Sequence, residues 1–319
     1  MTASVSQEAT LAAGRLVAAI RSAFRGPLAT VEEAVVCLLA RGHLLIEDVP
    51  GVGKTTLALA LGKATGLTVH RLQFTPDTLP SDIVGLSVYN QKSQAFEFHP
   101  GPVFSQVLLA DEINRATPKA QAALLEAMND RSVSVDGQTR PLPEPFVVLA
   151  TQNPVEYLGT YPLPESQLDR FLMRISLGYP GFDEERQLLR SGGAERALAL
   201  LEPVVDLSVL LGLQQATELV TVAEKLLDYM MALVAATRRS GEFLLGVSPR
   251  GAQGLYRAAQ AAALVAGRPF ATPDDVKRMA EPVLSHRVLV AGPGRERGAS
   301  GRRERDAIRR LLDEIPVPL

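Results

Sequence analysis

Eight residues, Asp48-Val49-Pro50-Gly51-Val52-Gly53-Lys54-Thr55, join the apolar run Leu44-Leu45-Ile46 to a helical pattern that continues through Thr56. A turn at that junction points backbone N–H groups at the start of a helix, where phosphate oxygens are held. Glycines at 51 and 53 permit close backbone approach. In such a loop Lys54 reaches the terminal phosphates and the Thr55 hydroxyl ligates Mg²⁺. Asp48, Pro50, Gly51, Val52, Gly53, Lys54, Thr55 and Thr56 are thus the expected phosphate-binding residues. Asp48 stands where the pattern G-x-x-x-x-G-K-[ST] has its first glycine; aspartate tolerates unusual turn dihedrals, so the loop is still expected to form. A ligand-free Pro-Gly turn is the rival reading, and the strand-to-helix context disfavours it.

Phosphate chemistry needs carboxylates nearby for the metal ion and the attacking water. Asp111-Glu112 follows the apolar run Val107 to Ala110, so both acids emerge at a carboxyl strand end. Asp111 is the candidate to hold Mg²⁺ through water, and Glu112 the candidate to polarise the water that attacks the γ-phosphate. A third run, Phe146 to Ala150, ends in Thr151-Gln152-Asn153-Pro154 and places the Asn153 amide at another strand end. Asn153 suits orienting the water or touching the γ-phosphate; taken alone it is equally an ordinary turn residue before proline.

The elements that must position these groups are legible as alternating patterns. Short runs rich in branched residues recur at His43 to Ile46, Thr68 to Leu72, Val107 to Ala110, Phe146 to Ala150 and Leu172 to Leu177. Helical patterns at Lys54 to Ala64 and Pro118 to Asn129 lie between them, which implies a parallel α/β sheet. After Tyr179-Pro180-Gly181 the strand signals stop and helical patterns follow at Ala216 to Arg239, Pro249 to Ala266 and Pro273 to Leu284. The expected organisation is a core over 1–180, a linker over 181–202 and a helical domain over 203–319. Thr272-Pro273-Asp274-Asp275 reads as a helix start.

With these motifs in order the chain resembles the AAA+ ATPases, and within them the MoxR family. The resemblance rests on Glu47 to Thr55, Leu109-Ala110-Asp111-Glu112-Ile113-Asn114-Arg115-Ala116, Ala150 to Pro154, Leu163 to Phe171 and Ser248-Pro249-Arg250. It covers about Gly42 to Leu289, with the closing Glu314-Ile315-Pro316-Val317-Pro318 also typical; Asp48 is itself usual in that family. The resemblance implies an AAA+ P-loop core with a parallel five-stranded sheet plus a smaller all-helical lid. It also implies bound ATP and Mg²⁺, and a homo-hexamer with ATP between subunits. Arg170 would be an arginine finger reaching a neighbour's ATP, and Arg250 a second sensor of nucleotide in the lid. An insert over about 83–102 and a hairpin over about 131–142, turning at Asp136-Gly137, are implied as well. The implied activity is ATP-driven, chaperone-like remodelling or maturation of a client, with a von Willebrand factor A domain protein as partner. Phe24-Arg25-Gly26-Pro27-Leu28 replaces the family's usual Val-Gly-Gln-type segment, which leaves the adenine contacts open.

Composition narrows the alternatives. A chain of 319 residues, 46% hydrophobic and with a formal charge of -2, shows no overall bias toward nucleic acid or anionic membranes. A related DNA motor is the rival function, but the insert has only Lys92 as a cation, and the hairpin sets Arg131 and Arg140 against Asp136. A nucleotide-gated module without hydrolysis would have no need of Glu112. Cys37 lies in an apolar run and reads as a buried side chain, and the four histidines fall at no metal-ligand spacing. Arg295 to Arg310 holds seven arginines interleaved with Glu296, Glu304 and Asp306 and reads as a solvated face; Met230-Met231 reads as lid core. The first residues lack a basic leader, and no apolar run approaches the roughly 20 residues of a membrane span, so a cytoplasmic protein with no membrane insertion is expected.

Overall fold

The computed structural model describes residues 5–153, 160–191, 193–291 and 301–317. Pro154, Arg295, Glu296 and Pro318 lie outside the described residues. Two helices, α1 (Gln7–Ala23) and α2 (Leu28–Leu39), lead into β1 (Leu44–Glu47), α3 (Lys54–Thr65), β2 (Val69–Gln73) and α4 (Pro80–Val84). One hairpin, β3 (Gly85–Asn90) and β4 (Ala95–Pro100), precedes β5 (Val107–Asp111) and α5 (Pro118–Asp130). A second, β6 (Ser132–Val135) and β7 (Gln138–Pro141), precedes β8 (Val147–Gln152), α6 (Glu165–Leu168) and β9 (Met173–Ile175). The remainder comprises α7 (Phe182–Ser191), α8 (Ala194–Ala199), α9 (Leu207–Glu218), α10 (Glu224–Arg239), β10 (Phe243–Leu245), α11 (Pro249–Val265), α12 (Pro273–Leu284), β11 (Leu289–Val290) and α13 (Arg302–Glu314).

Five strands form one parallel sheet in the order β2-β5-β8-β1-β9. Its central strands carry apolar residues on both faces, as a sheet covered on two sides requires. Leu44 and Ile46 of β1 join one buried cluster with Val107, Leu109, Val147 and Leu149, while Leu45 joins the other with Leu108, Val148 and Ala150. The first cluster runs on into the lid through Leu210, Leu233, Leu255 and Val283, so core and lid share one apolar interior. His43, just before β1, is buried; its Nδ1 accepts from Val148 N at 3.0 Å and its Nε2 lies 3.1 Å from Met128 O. Burial pulls its imidazole down to about 4, so it serves as a neutral bridge.

The second hairpin turns at Asp136-Gly137, both with positive φ (53° and 74°), as a two-residue turn demands. Arg140 stacks 4.1 Å over the Phe98 ring and ties this hairpin to the first. Thr117 and Ser248 cap α5 and α11 ahead of a proline at the first helical position, and Asp275 accepts from Thr272 N at 2.8 Å at the start of α12.

The segment 181–202, expected as a linker, carries α7 and α8. Three expectations are corrected. The helical pattern Ala216 to Arg239 is broken between α9 and α10, where Thr221 instead bridges Phe270. The lid is not strand-free: β10 and β11 pair as a ribbon too short to show a two-residue period. Met230 is buried as expected, but Met231 is 46% exposed, because successive helical residues point about 100° apart. Cys37 is buried, and burial raises its thiol well above the usual range.

Glu33 on α2 is raised from 4.5 to about 7, chiefly by burial and then by the charge of Glu281, with Arg278 opposing and Glu32 adding a little. The folded state therefore holds this proton more tightly than the unfolded chain, so stability is lost as pH rises from about 4.5 through 7 and stays lost above. Replacing Glu33 by Gln should raise stability at pH 8 by on the order of 2 kcal/mol and change it little at pH 4.5. Thermal unfolding of both proteins across that range tests the sign.

Candidate active site

The loop between β1 and α3 is built by its glycines. Gly51 and Gly53 take φ of 87° and 95°, a region open to glycine but costly to other residues. Gly53 caps α3 with a positive φ, and a Cβ there would press on the Phe24 ring at 3.2 Å, so the dihedral is strained and the space is tight. The first N–H groups of α3 are left to face whatever the loop encloses. Phe24 also lines an adjacent cavity of about 660 Å³ with Val17, Arg21, Arg25, Leu28 and Glu184.

Asp48 does something other than what its place in the pattern suggests. It is absent from the described residues with positive φ, so the expected unusual turn dihedral is corrected. Its carboxylate is a staple: Oδ1 accepts from Val49 N at 2.7 Å, and Oδ2 accepts from Ser176 Oγ and Gly178 N, each at 2.8 Å. The phosphate loop is thereby fastened to the chain leaving β9. Lys54 Nζ donates to the Asp48 carbonyl at 2.6 Å. Burial lowers the Lys54 pKa, and the carboxylates of Asp48, Asp111, Glu112 and Glu47 oppose the shift.

Both acids stand at the carboxyl end of β5, next to the end of β8. Thr151 Oγ1 donates to Asp111 Oδ1 at 2.5 Å and accepts from Glu112 N at 2.9 Å, so one hydroxyl orients both. Arg71 binds the other Asp111 oxygen from Nη2 at 2.7 Å, and Gln73 Nε2 donates to Glu112 Oε2 at 2.8 Å. Arg115 also pairs with Glu112 at 3.2 Å. Glu112 has φ 58° and ψ 49°, a left-handed conformation uncommon for a non-glycine residue. Asn153 follows β8 directly and is buried; its carbonyl accepts from Asn114 Nδ2 at 3.4 Å. No group of three or more His, Cys, Asp or Glu able to hold a metal exists among the described residues. Thr55 and Asp111 would suit only a cation that arrives with phosphates and keeps much of its water, since Thr151 and Arg71 already hold the two Asp111 oxygens.

Thr151, Arg71 and Gln73 carry no signal in sequence spacing. They meet the acids only because β8 and β2 flank β5, with Gln73 opposite Asp111 in the register. Sheet order, which the sequence does not display, is what identifies them.

Arg170 and Arg250 lie elsewhere. Leu172 N donates to the His43 carbonyl at 2.8 Å, so the Arg170 segment sits at the amino end of β1. Arg250 Nη1 donates to Asn129 Oδ1 at 2.9 Å, next to the Met128 that His43 holds, and so occupies the same end. The phosphate loop leaves the opposite end, roughly 13 Å away along a four-residue strand. Two lid residues grip the residue beside Arg170: Ser248 Oγ donates to Asp169 at 3.0 Å, and buried Arg287 donates from Nε at 2.8 Å. Burial lowers the Arg287 guanidinium to about 10, with Asp169 opposing. Within one chain Lys54, Thr55, Asp111, Glu112 and Asn153 converge, while Arg170 and Arg250 form a second group at the far end.

Asp48→Gly would restore the general phosphate-loop pattern, yet it strands the N–H groups of Val49 and Gly178 and the Ser176 hydroxyl. It should cost about 2 kcal/mol in urea unfolding, whereas a glycine equivalent to aspartate here would leave the midpoint unchanged.

Comparison with known proteins supplies the relationship. Residues 43–173 match the ATPase family associated with various cellular activities (AAA), and residues 235–311 match the AAA lid domain. The chain is 46% identical over 286 residues to the uncharacterized protein YeaC of Bacillus subtilis, spanning 90% of this chain and 88% of that one. It is 43% identical over 269 residues to chaperone MoxR1 of Mycobacterium tuberculosis, spanning 82% and 71% respectively. The crystal structure of a candidate ATPase from Cytophaga hutchinsonii superposes with a TM-score of 0.88 at 36% identity, covering 98% of this chain and 96% of that one. A phosphate loop with two strand-end acids, a five-stranded parallel sheet, a helical lid and these relatives together place the chain in the MoxR family of AAA ATPases.

Proposed function

We propose that the protein hydrolyses ATP at sites shared between neighbouring subunits of a homo-hexamer and uses the cycle to remodel or mature a client protein. The observation that carries this reading is the division of the site. The phosphate loop and acids stand at the carboxyl end of the sheet, while Arg170 and Arg250 stand at the amino end. In a ring, the amino-end arginines of one subunit face the phosphate loop of the next and neutralise charge developing on the transferred phosphoryl group. Lys54 and the N–H groups of the loop hold the phosphates, and Phe24 with its cavity offers room for the base. Thr55 and Asp111 would hold a Mg²⁺ ion, which would supply charge neutralisation at the phosphates. Glu112 takes the proton of the attacking water, and Asn153 orients that water.

The client and a von Willebrand factor A domain partner follow from the family resemblance, and a cytoplasmic setting fits a chain with no described helix long and apolar enough to cross a membrane. A DNA motor is the less favoured reading, since Arg140, one of the two hairpin cations, is occupied over Phe98. DNA-stimulated, salt-sensitive turnover would restore it.

Glu112→Gln should bind ATP with affinity within about threefold of the parent and lose turnover by at least about 100-fold. Undiminished phosphate release would remove the assignment. Lys54→Ala and Arg170→Ala should each be inactive alone, yet mixing them should recover activity, because some interfaces then pair an intact loop with an intact arginine. Arg250→Ala should behave like Arg170→Ala in the same mixture. No recovery on mixing, with assembly shown by sedimentation, would sink the shared-site reading.

A further inference from the structure

A cleft of about 640 Å³ opens where α12 and α13 meet the edge strand β9. Six cationic side chains line it: Arg174, Lys277, Arg278, Arg302, Arg305 and Arg309. Its own acids are Glu33, Glu281 and Asp306. Much of this charge is paired. Glu47 lies 3.2 Å from Arg174, Glu32 lies 2.8 Å from Arg278, and Glu281 takes Arg309 at 2.6 Å and Arg305 at 4.0 Å. Lys277 and Arg302 have no acidic partner among the described residues, and both are exposed.

Arg174 supplies the second, independent observation. It is only 7% exposed, it forms part of the cleft wall, and its Nε has no hydrogen-bond partner. A buried guanidinium donor left unsatisfied costs free energy until an acceptor, water included, reaches it. Glu33, raised to about 7 by burial and by Glu281, offers an incoming anion less opposition than an ordinary carboxylate would. No aromatic ring lines the cleft, so it has nothing on which to stack a base. Its volume falls in the ordinary range for small-molecule sites, and guanidinium groups suit phosphate oxygens.

We infer that the cleft between β9, α12 and α13 binds a compact anion bearing several phosphate groups, with Arg174, Lys277 and Arg302 as its main contacts. The site is separate from the nucleotide loop but joined to it. Arg174 pairs with Glu47, and Ser176, also in the cleft wall, donates to Asp48; these two acids are the residues that lead into the phosphate loop. Occupancy would therefore bear on the staple that holds the loop. That coupling rests on reading the loop as the ATP site, whereas binding in the cleft does not.

Titration calorimetry of the full chain with inorganic tripolyphosphate tests the site. Lys54→Ala disables the nucleotide loop, so binding that persists in this variant belongs elsewhere. The expected result is one tripolyphosphate per chain in Lys54→Ala, weakened at least tenfold when Lys277→Ala and Arg302→Ala are added. Those two substitutions in the otherwise intact chain should leave ATP affinity unchanged and so report that folding survives. A second arm with fructose 1,6-bisphosphate distinguishes a linear inorganic chain from an organic phosphate. Loss of tripolyphosphate binding with Lys54→Ala alone, or equal binding with and without Lys277 and Arg302, would overturn the inference. Tighter capture of single-stranded DNA than of either phosphate compound at these residues would overturn it too.

Discussion

Parallel pairing of β1 between β8 and β9 is the constraint on which the rest depends. Parallel strands put all their carboxyl ends on one side, and short loops leaving those ends are thrown together. Lys54, Asp111, Glu112 and Asn153 come from three separate strands and meet only for this reason. The same pairing sends the segment that leads directly into β9 to the other side, Arg170 included. A single subunit with this sheet has to keep its phosphate loop and its arginines apart, and the separation is a property of strand direction rather than of any individual side chain.

Side chains then refine what the sheet provides. Asp48 and Thr151 each serve several partners with one functional group. The Asp48 carboxylate satisfies two backbone N–H groups and a hydroxyl, and the Thr151 hydroxyl sits between the Asp111 carboxylate and the Glu112 amide. Such sharing fixes geometry more tightly than the same number of isolated bonds, because no partner can move without disturbing the others. At the amino end Asp169 has the equivalent role. Ser248 and Arg287 both hold it, and they are lid residues, so the lid and the Arg170 segment are mechanically one piece.

Much of this was legible in the sequence, and what was not has a common cause. The central strands β1, β5 and β8 appear as apolar runs because a sheet covered on both faces leaves no room for polar alternation, and the loop and acid pair appear because their residues are contiguous. The ribbon β10–β11 escaped because two or three residues carry no period. Arg71, Gln73 and Thr151 escaped because their partners lie about 40 residues away and become neighbours only through sheet order. Asp48 stands out in the sequence by its unusual place in the motif, but its purpose depends on Ser176 and Gly178, which pairing alone brings close. Local chemistry is written in order along the chain; chemistry between strands is not.

The left-handed backbone of Glu112 has a consequence for how this site could change over time. An L-residue in that conformation gives up on the order of 1 kcal/mol relative to glycine, and here the bond from its amide to Thr151 helps hold it there. A glycine at this position would relax the backbone but would take away the carboxylate that Gln73 and Arg115 hold. The strain and the carboxylate thus sit on one residue, and the fold answers the strain with bonds from Thr151, Gln73 and Arg115.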